Sequence, residues 1–363
     1  MTVSYQLRTY TPAGVLTGII TDFLDLSYKA EVNSPGQLLF KLPAGHRAIK
    51  TFVLDAQIEV WRSDLAGGIP WYCDFYAFWR GEQRTASSDG ITTYTAICVG
   101  QLDLLRRSVV AYPANTANRN TYTSTSAESI AKTLVTYNAT SAGTTGDGRK
   151  RNVTTVGVSV ESDAAGGNTI DFTCAWQNLL AALQEVASIG GGDYELHKTA
   201  ARAWQFRWRN GQLGTDRSAS VSFALQYGNM ANPQLVRDST TEKTVAIVGG
   251  QGEESDRTIV VRTGANYDAE ENAIECFVDA RQLTVTDSLN ARGDAELANT
   301  RQRNKLTFDV LQIPSTRYGE HYFLGDLVTG YYEGITSVQK IKRVTVSLTA
   351  QGNESIKVEL EDV

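Results

Sequence analysis

The sequence predicts a mainly β chain of the α+β kind: two β-barrel domains, a small α/β module inserted between them, and a third helix before the last barrel strands. Three observations carry this expectation. Short alternating or β-branched runs dominate both ends of the chain, the pattern of antiparallel strands whose side chains point to alternate faces. Near the middle the apolar spacing becomes helical, at residues 127–137 and 175–188. The 363 residues also exceed the roughly 250 to 300 over which one hydrophobic core grows before a chain divides. The expected domains are 1–111, 112–235 and 236–363.

In the first domain, residues 3–9, 27–32, 38–42, 57–62, 71–81 and 92–100 read as strands. Between the last two, Ser87-Ser88-Asp89-Gly90 supplies turn chemistry, because glycine takes positive φ at no steric cost. In the module, Ile130, Leu134 and Tyr137 share one helical face, and Thr125 and Glu128 have capping-box spacing. The polar stretch 140–152, with Gly143, Gly146, Gly148 and the basic cluster Arg149-Lys150-Arg151, reads as an exposed loop. Trp176, Leu179, Leu180, Leu183 and Val186 are spaced as a buried helical stripe that Gly190-Gly191-Gly192 ends. Residues 194–198 and 203–208 then form a hairpin packed on that helix. Strands resume at 244–249 and 257–263, and a helix is expected at about 287–303 with Asp287 as its N-cap. Segments 321–327, 328–332, 339–348 and 355–361, with turns at Glu333-Gly334 and Gln351-Gly352-Asn353, complete the second barrel.

The residues offer little catalytic chemistry. A net charge of −6 argues against a protein that grips nucleic acid by neutralising phosphates. Cys73, Cys98, Cys174 and Cys276 are far apart and form no CxxC pair, so they read as small buried hydrophobes, with neither a zinc site nor a disulfide framework. His46, His197 and His321 each stand alone. No GxSxG, GxxxxGK[ST] or HExxH motif is present, and no GxGxxG opens a helix. Asp64, Asp74 and Glu82 lie near the aromatic run from Trp71 to Trp79, but spacing alone does not identify a glycosidase pair. Alternation within that run puts Tyr72, Asp74, Tyr76 and Phe78 on one face and Trp71, Cys73, Phe75 and Trp79 on the other, as in a strand buried on both faces. The competing reading is a platform on which a carbohydrate is bound or cleaved. The Arg149–Arg151 cluster reads as a solvated loop. The run from Val248 to Gly252 follows a strand, but Glu253 and Glu254 would repel a phosphate there. The expectation is a protein that is not an enzyme, with no catalytic, cofactor-binding or metal-binding residues. The opening residues lack an apolar core of signal-peptide length, and no run approaches the roughly 18 apolar residues of a membrane span. Cytoplasmic synthesis without an integral membrane segment is expected.

Three passages resemble the baseplate and tail-tip hub family of long-tailed bacteriophages, whose members correspond to the trimeric hub of contractile-tail baseplates. The first runs from Tyr5-Gln6-Leu7-Arg8 through Tyr28-Lys29-Ala30-Glu31-Val32-Asn33-Ser34-Pro35-Gly36 and Phe40-Lys41-Leu42-Pro43 to Ile58-Glu59-Val60-Trp61-Arg62. The second is the helix-like Leu289-Asn290-Ala291-Arg292-Gly293-Asp294-Ala295-Glu296-Leu297. The third is Phe323-Leu324-Gly325-Asp326-Leu327-Val328, with Ile341-Lys342-Arg343-Val344 and a closing strand at 356–360. The resemblance implies tail-tube-like barrels and a homotrimer in which six barrels surround a lumen continuing the tail tube. It also implies docking on the distal tail protein ring, contact with the tape-measure protein, support of receptor-binding or tail-fibre proteins, and transient passage of DNA at the tail tip of the virion. An acidic lumen would let DNA slide, because like charge removes the counterion release that drives binding. Strand edges exposed in one subunit would be protected by closure into a ring.

Overall fold

The structure is a computed structural model that describes residues 3–111, 120–143, 151, 157–201, 203–281, 283, 286–349 and 351–362. The first region supplies β1 (Ser4–Tyr10), β2 (Leu16–Ile20), β3 (Asp25–Glu31), β4 (Ser34–Pro43), β5 (Gln57–Asp64), β6 (Ile69–Ala86) and β7 (Thr92–Gly100). A module follows with α1 (Asp103–Arg106), β8 (Asn120–Ser126), α2 (Ala127–Ala139), β9 (Gly157–Val160), β10 (Thr169–Cys174), α3 (Leu179–Gly190), β11 (Gly192–Ala200) and β12 (Ala203–Asn210). The remainder holds β13 (Ser222–Ala224), β14 (Met230–Asp238), β15 (Val245–Gly249), β16 (Ile259–Thr263), β17 (Glu275–Asp279), α4 (Thr286–Thr300), β18 (Arg303–Val310), β19 (Leu327–Tyr332), β20 (Ile335–Thr349) and β21 (Glu354–Asp362). The chain is mainly β, as the sequence predicts.

Strands from both ends of the chain join one 13-stranded sheet, ordered β14-β18-β21-β20-β3-β4-β7-β6-β5-β1-β2, with β19 on β20 and β13 on β19. Inward residues of the two halves form one apolar cluster that includes Leu7, Tyr28, Phe40 and Val60 together with Phe308, Val346 and Leu360. The junction is β20. Its residues 343–349 pair with β3 and its residues 335–340 with β19, while β21 occupies its opposite edge. The turn into β20 has Glu333 and Gly334 at φ 52° and 74°, the left-handed pair that matches the twist of a tight hairpin. Asn229 binds β13 to the start of β14, taking the Ala224 N–H at 3.0 Å and donating to Ser222 O at 2.8 Å. The boundary expected at residue 235 therefore falls inside β14, a strand of the large sheet.

Two smaller units interrupt this sheet. In the module, α2 and α3 cover the pair β8–β10 and the three-stranded β11-β12-β9. Sequence capping is corrected here: Ser126, not Thr125, caps α2 by accepting from Ser129 N at 3.2 Å. Glu128 instead accepts from Gly166 N at 2.6 Å and pairs with Lys132. Helix α3 starts later than expected, because Asn178 caps it and leaves Trp176 outside, 64% exposed at φ 59°. Its end is as read, with Gly191 the left-handed cap. Between β14 and β18 lies a second unit, a satellite sheet β16-β15-β17 packed by one face on α4 through Ala246, Val248, Val278, Leu289 and Leu297. Helix α4 begins at Thr286 and ends at Thr300, ahead of both expected limits, because Arg303 already starts β18.

An ion pair sits on the junction of β3 and β20. Arg343 donates to Glu31 at 2.8 and 3.1 Å and to Glu359 of β21 at 2.6 Å. Burial would raise the Glu31 carboxyl, but the Arg343 guanidinium outweighs it and holds the group below its usual range. A depressed carboxylate stabilises the fold above its unfolded value and loses that stabilisation as pH falls through the folded one. Glu31→Gln should therefore lower the urea midpoint at neutral pH, and the difference from the parent should shrink as pH falls below the ordinary glutamate value of about 4.3 and vanish once it passes below the lowered folded value; matched denaturation series across pH check this.

Candidate functional site

The most elaborate side-chain constellation is buried within the large sheet. Arg62 of β5 is 2% exposed and donates to both carboxylate oxygens of Glu354, the first residue of β21, at 2.9 and 3.1 Å. The same guanidinium donates to Tyr5 Oη at 3.0 Å, Tyr72 Oη at 3.4 Å and the Tyr318 carbonyl at 3.1 Å, and it lies 5.5 Å from the Tyr318 ring centre. Tyr5 donates to Glu354, while Tyr28 and Tyr318 both donate to Asp74, the latter at 2.8 Å. Burial raises the hydroxyls of Tyr5, Tyr28 and Tyr318, with neighbouring carboxylates adding to it, so they serve as donors. Burial also pushes the Asp74 carboxyl up, against the two tyrosine hydroxyls and Arg62. Every charged group here faces a protein partner, which makes the constellation a tie between chain ends.

A bulge builds the tie. Val60 opposes Phe75 but Trp61 opposes Cys73, so Asp74 is the extra residue of β6. An inserted residue shifts the alternation of everything beyond it. Phe75, Ala77 and Trp79 consequently face the core of the large sheet, whereas Tyr76 and Phe78 face the module. The strand is covered on both faces, as the sequence reading holds, but the assignment of Asp74 with Tyr76 and Phe78 to one face is corrected by this bulge. Phe75 and Phe78 are buried, and Trp71, at 38%, is the exposed large aromatic of the run. Tyr72, Tyr76 and Trp79 are half-buried.

The module is fixed by a second tie. Lys198 of β11 meets Glu59 of β5 at 2.7 Å and lies 5.0, 5.5 and 5.8 Å from the ring centres of Tyr10, Tyr76 and Trp204. Glu59 also accepts from Tyr10 Oη at 2.9 Å and Trp61 Nε1 at 2.7 Å. A cation held by carboxylate and aromatic faces together is well compensated for its burial.

The other sequence candidates are dispersed. Asp64 accepts from Gly67 N at 3.0 Å as the cap of a short turn, and Glu82 pairs with Arg84 on the surface; neither meets Asp74. His46 and His321 accept backbone N–H groups through Nδ1 at 3.2 and 3.0 Å, and His197 is exposed. All four cysteines are free thiols, each pushed up by burial, Cys174 to about 12. Arg149 and Lys150 lie outside the described residues; Arg151 donates to Val109 O. At the end of β15, Arg257 donates to Gly249 O at 2.9 Å and to Gly250 O at 3.1 Å. Among the described residues no group of three His, Cys, Asp or Glu side chains could hold a metal, and no helix is long and apolar enough to cross a membrane.

Two surfaces that the sequence reading did not single out are open. Among the described residues, strand β2 ends one side of the large sheet with one edge unpaired, and Leu16 and Ile19 are 53% and 48% exposed beside Val15 at 64%. Strand β14 ends the opposite side, with Val236 exposed. Residues 16–20 read Leu-Thr-Gly-Ile-Ile, with no alternation of apolar and polar residues, so periodicity carried no strand signal there.

The Arg62 tie generates a stability test. Removing one partner of a buried pair strands the other charge, at a cost of about 3–5 kcal/mol. Glu354→Ala should show that loss in equilibrium urea unfolding, and Arg62→Met combined with Glu354→Leu should be less destabilised than Glu354→Ala alone.

Comparison with known proteins agrees with this architecture. The chain is similar to the 43 kDa tail protein of prophage MuSo2 from Shewanella oneidensis, with a TM-score of 0.64 at 12% identity over 98% of this chain and 97% of that one. A tail protein from Neisseria meningitidis MC58 gives 0.60 at 11% identity over 99% and 97%. Prophage tail protein gp18 from Listeria monocytogenes EGD-e gives 0.55 at 10% over 99% and 94%. At such identities the likeness is one of fold. No curated protein sequence matches the chain. The family model of Siphovirus ReqiPepy6 Gp37-like proteins matches residues 6–360, and the chain belongs to that family of phage tail proteins.

Proposed function

We propose that the protein is the structural hub of a phage tail tip or baseplate, three copies closing into a ring that continues the tail tube. In this reading the ring joins the distal tail ring and tape-measure protein to the receptor-binding or piercing components, and DNA leaves through its lumen. The role is mechanical, without catalysis. The observation that carries it is the open state of the large sheet: among the described residues its main path ends on two strands paired along one edge only, β2 and β14, while the three-residue β13 ends the short branch through β19. An edge with exposed apolar residues invites pairing with another chain. A heterologous contact repeated around an axis protects both edges at once when the rotation closes. The two internal ties support the reading, because a tube segment must keep its halves in fixed register under load.

The expected mass in solution is about 119 kDa, three times 39.6 kDa, by light scattering after gel filtration. Leu16→Lys with Ile19→Lys should reduce it to that of one chain without altering the thermal midpoint. A parent that stays monomeric at high concentration and does not associate with the distal tail ring would count against the hub.

A further inference from the structure

The satellite sheet has only one of its faces covered. On the side away from α4, Val261, Ile247 and Phe277 form a cross-strand row, with Ile259 beside it; Ile259, Val261 and Phe277 are 50%, 56% and 57% exposed. Strand β15 pairs parallel with β17 and antiparallel with β16, and a sheet with one face in water ordinarily alternates apolar inward and polar outward residues. Three exposed apolar side chains on the two outer strands β16 and β17, with half-buried Ile247 of β15 between them, depart from the polar outer face of a sheet meant to meet water.

Charge marks what would cover it. The loop at one end of the strands carries exposed Glu253, Glu254 and Asp256, and the loop at the other carries exposed Asp268, Glu270 and Glu271. Residues 253–281 hold eight carboxylates against three arginines, a balance of −5 within a chain of −6. Arg257 is held by Asp279 and two backbone carbonyls and lies 5.1 Å from the Phe277 ring centre, so it edges the apolar row without pairing with Glu253, Glu254 or Asp256. The apolar strip therefore lies between two acidic rims.

We infer that this face docks an amphipathic helix of a partner protein, its apolar stripe on Val261, Ile247 and Phe277 and its lysines or arginines near each end. The dimensions agree. Five-residue strands span about 17 Å, the rise of about 11 helical residues, so cations roughly three turns apart reach both acidic loops. On the opposite face α4, with 15 residues, shows that a helix packs well on this sheet. The inference is independent of ring closure, which uses β2 and β14.

The probe is a labelled amphipathic peptide of about 15 residues with a leucine stripe and lysines at both ends, paired with a twin carrying glutamates in their place. Anisotropy titration of the full chain should give binding at least about tenfold tighter for the lysine peptide, weakening as salt rises. Phe277→Lys should abolish it while thermal unfolding stays unchanged, and Val261→Lys serves if that variant fails to fold. Reversing Glu253, Glu254, Glu270 and Glu271 to lysine should turn the preference toward the glutamate twin. Equal binding of the two peptides, or lysine-peptide binding that survives both Phe277→Lys and Val261→Lys, would overturn the inference. So would an oligomer whose mass falls on Phe277→Lys, since a second copy would then be the cover.

Discussion

A strand offers two hydrogen-bonding edges, and β20 uses one of them twice. Its 15 residues take β21 along one edge and divide the other between β19 and β3. Because β3 lies near the start of the chain, this division brings together residues more than 300 positions apart, such as Glu31 and Arg343. Closing a loop of that length costs entropy that grows only logarithmically with length, so the finished sheet tolerates the module and the satellite as insertions. The kinetic consequence is heavier. Non-local pairing must form before the shared core rewards it, which places the large sheet among slow-folding topologies.

Given that pairing, the polar residues in the core have a defined task. Apolar packing alone would hold β5, β6 and β21 together, yet it would not distinguish neighbouring registers. Arg62 and Glu354 do, because their bidentate contact exists in one register only and a slip would bury both charges unpaired. Asp74, displaced inward by the bulge, adds Tyr28 from β3 and Tyr318 from the loop before β19. The tie thus collects side chains from both halves of the sheet. Lys198 and Glu59 repeat the device where the module meets β5. Register and orientation are what these buried charges secure.

Much of the fold was legible in local pattern. Alternation marks the strands of the first region, and glycine marks the end of α3, because period and φ are local properties. The β-rich ends and central helices were read for the same reason. What escaped depends on non-local facts. The bulge at Asp74 is set by opposite residues on β5, so alternation assigned the residue to the wrong companions. Trp176 fits the stripe of α3 by spacing, but the Asn178 cap decides where the helix starts. The Arg62–Glu354 tie joins positions 292 apart, and no spacing rule points from one to the other. Residues 244–263 read as barrel strands, since periodicity reports a strand without naming the sheet it joins.

Net charge shows the same limit more sharply. A balance of −6 invites a reading in terms of a channel repelling DNA, but −5 of it falls within residues 253–281, leaving about −1 for the rest of the chain. The acidity is thus a property of the satellite rather than of the large sheet. Burial separates the two units in the same way. Strand β6 is covered on one face by the core of the large sheet and on the other by the module, through Phe75 and Phe78 respectively. The parallel pair β15 and β17 has α4 on one face and solvent on the other, with Phe277 exposed there. Where the chain completes its own layers, apolar residues on both faces need no partner. Where a layer is missing, the same physics makes the bare face a binding surface, and the acidic loops at its ends select the charge of what binds.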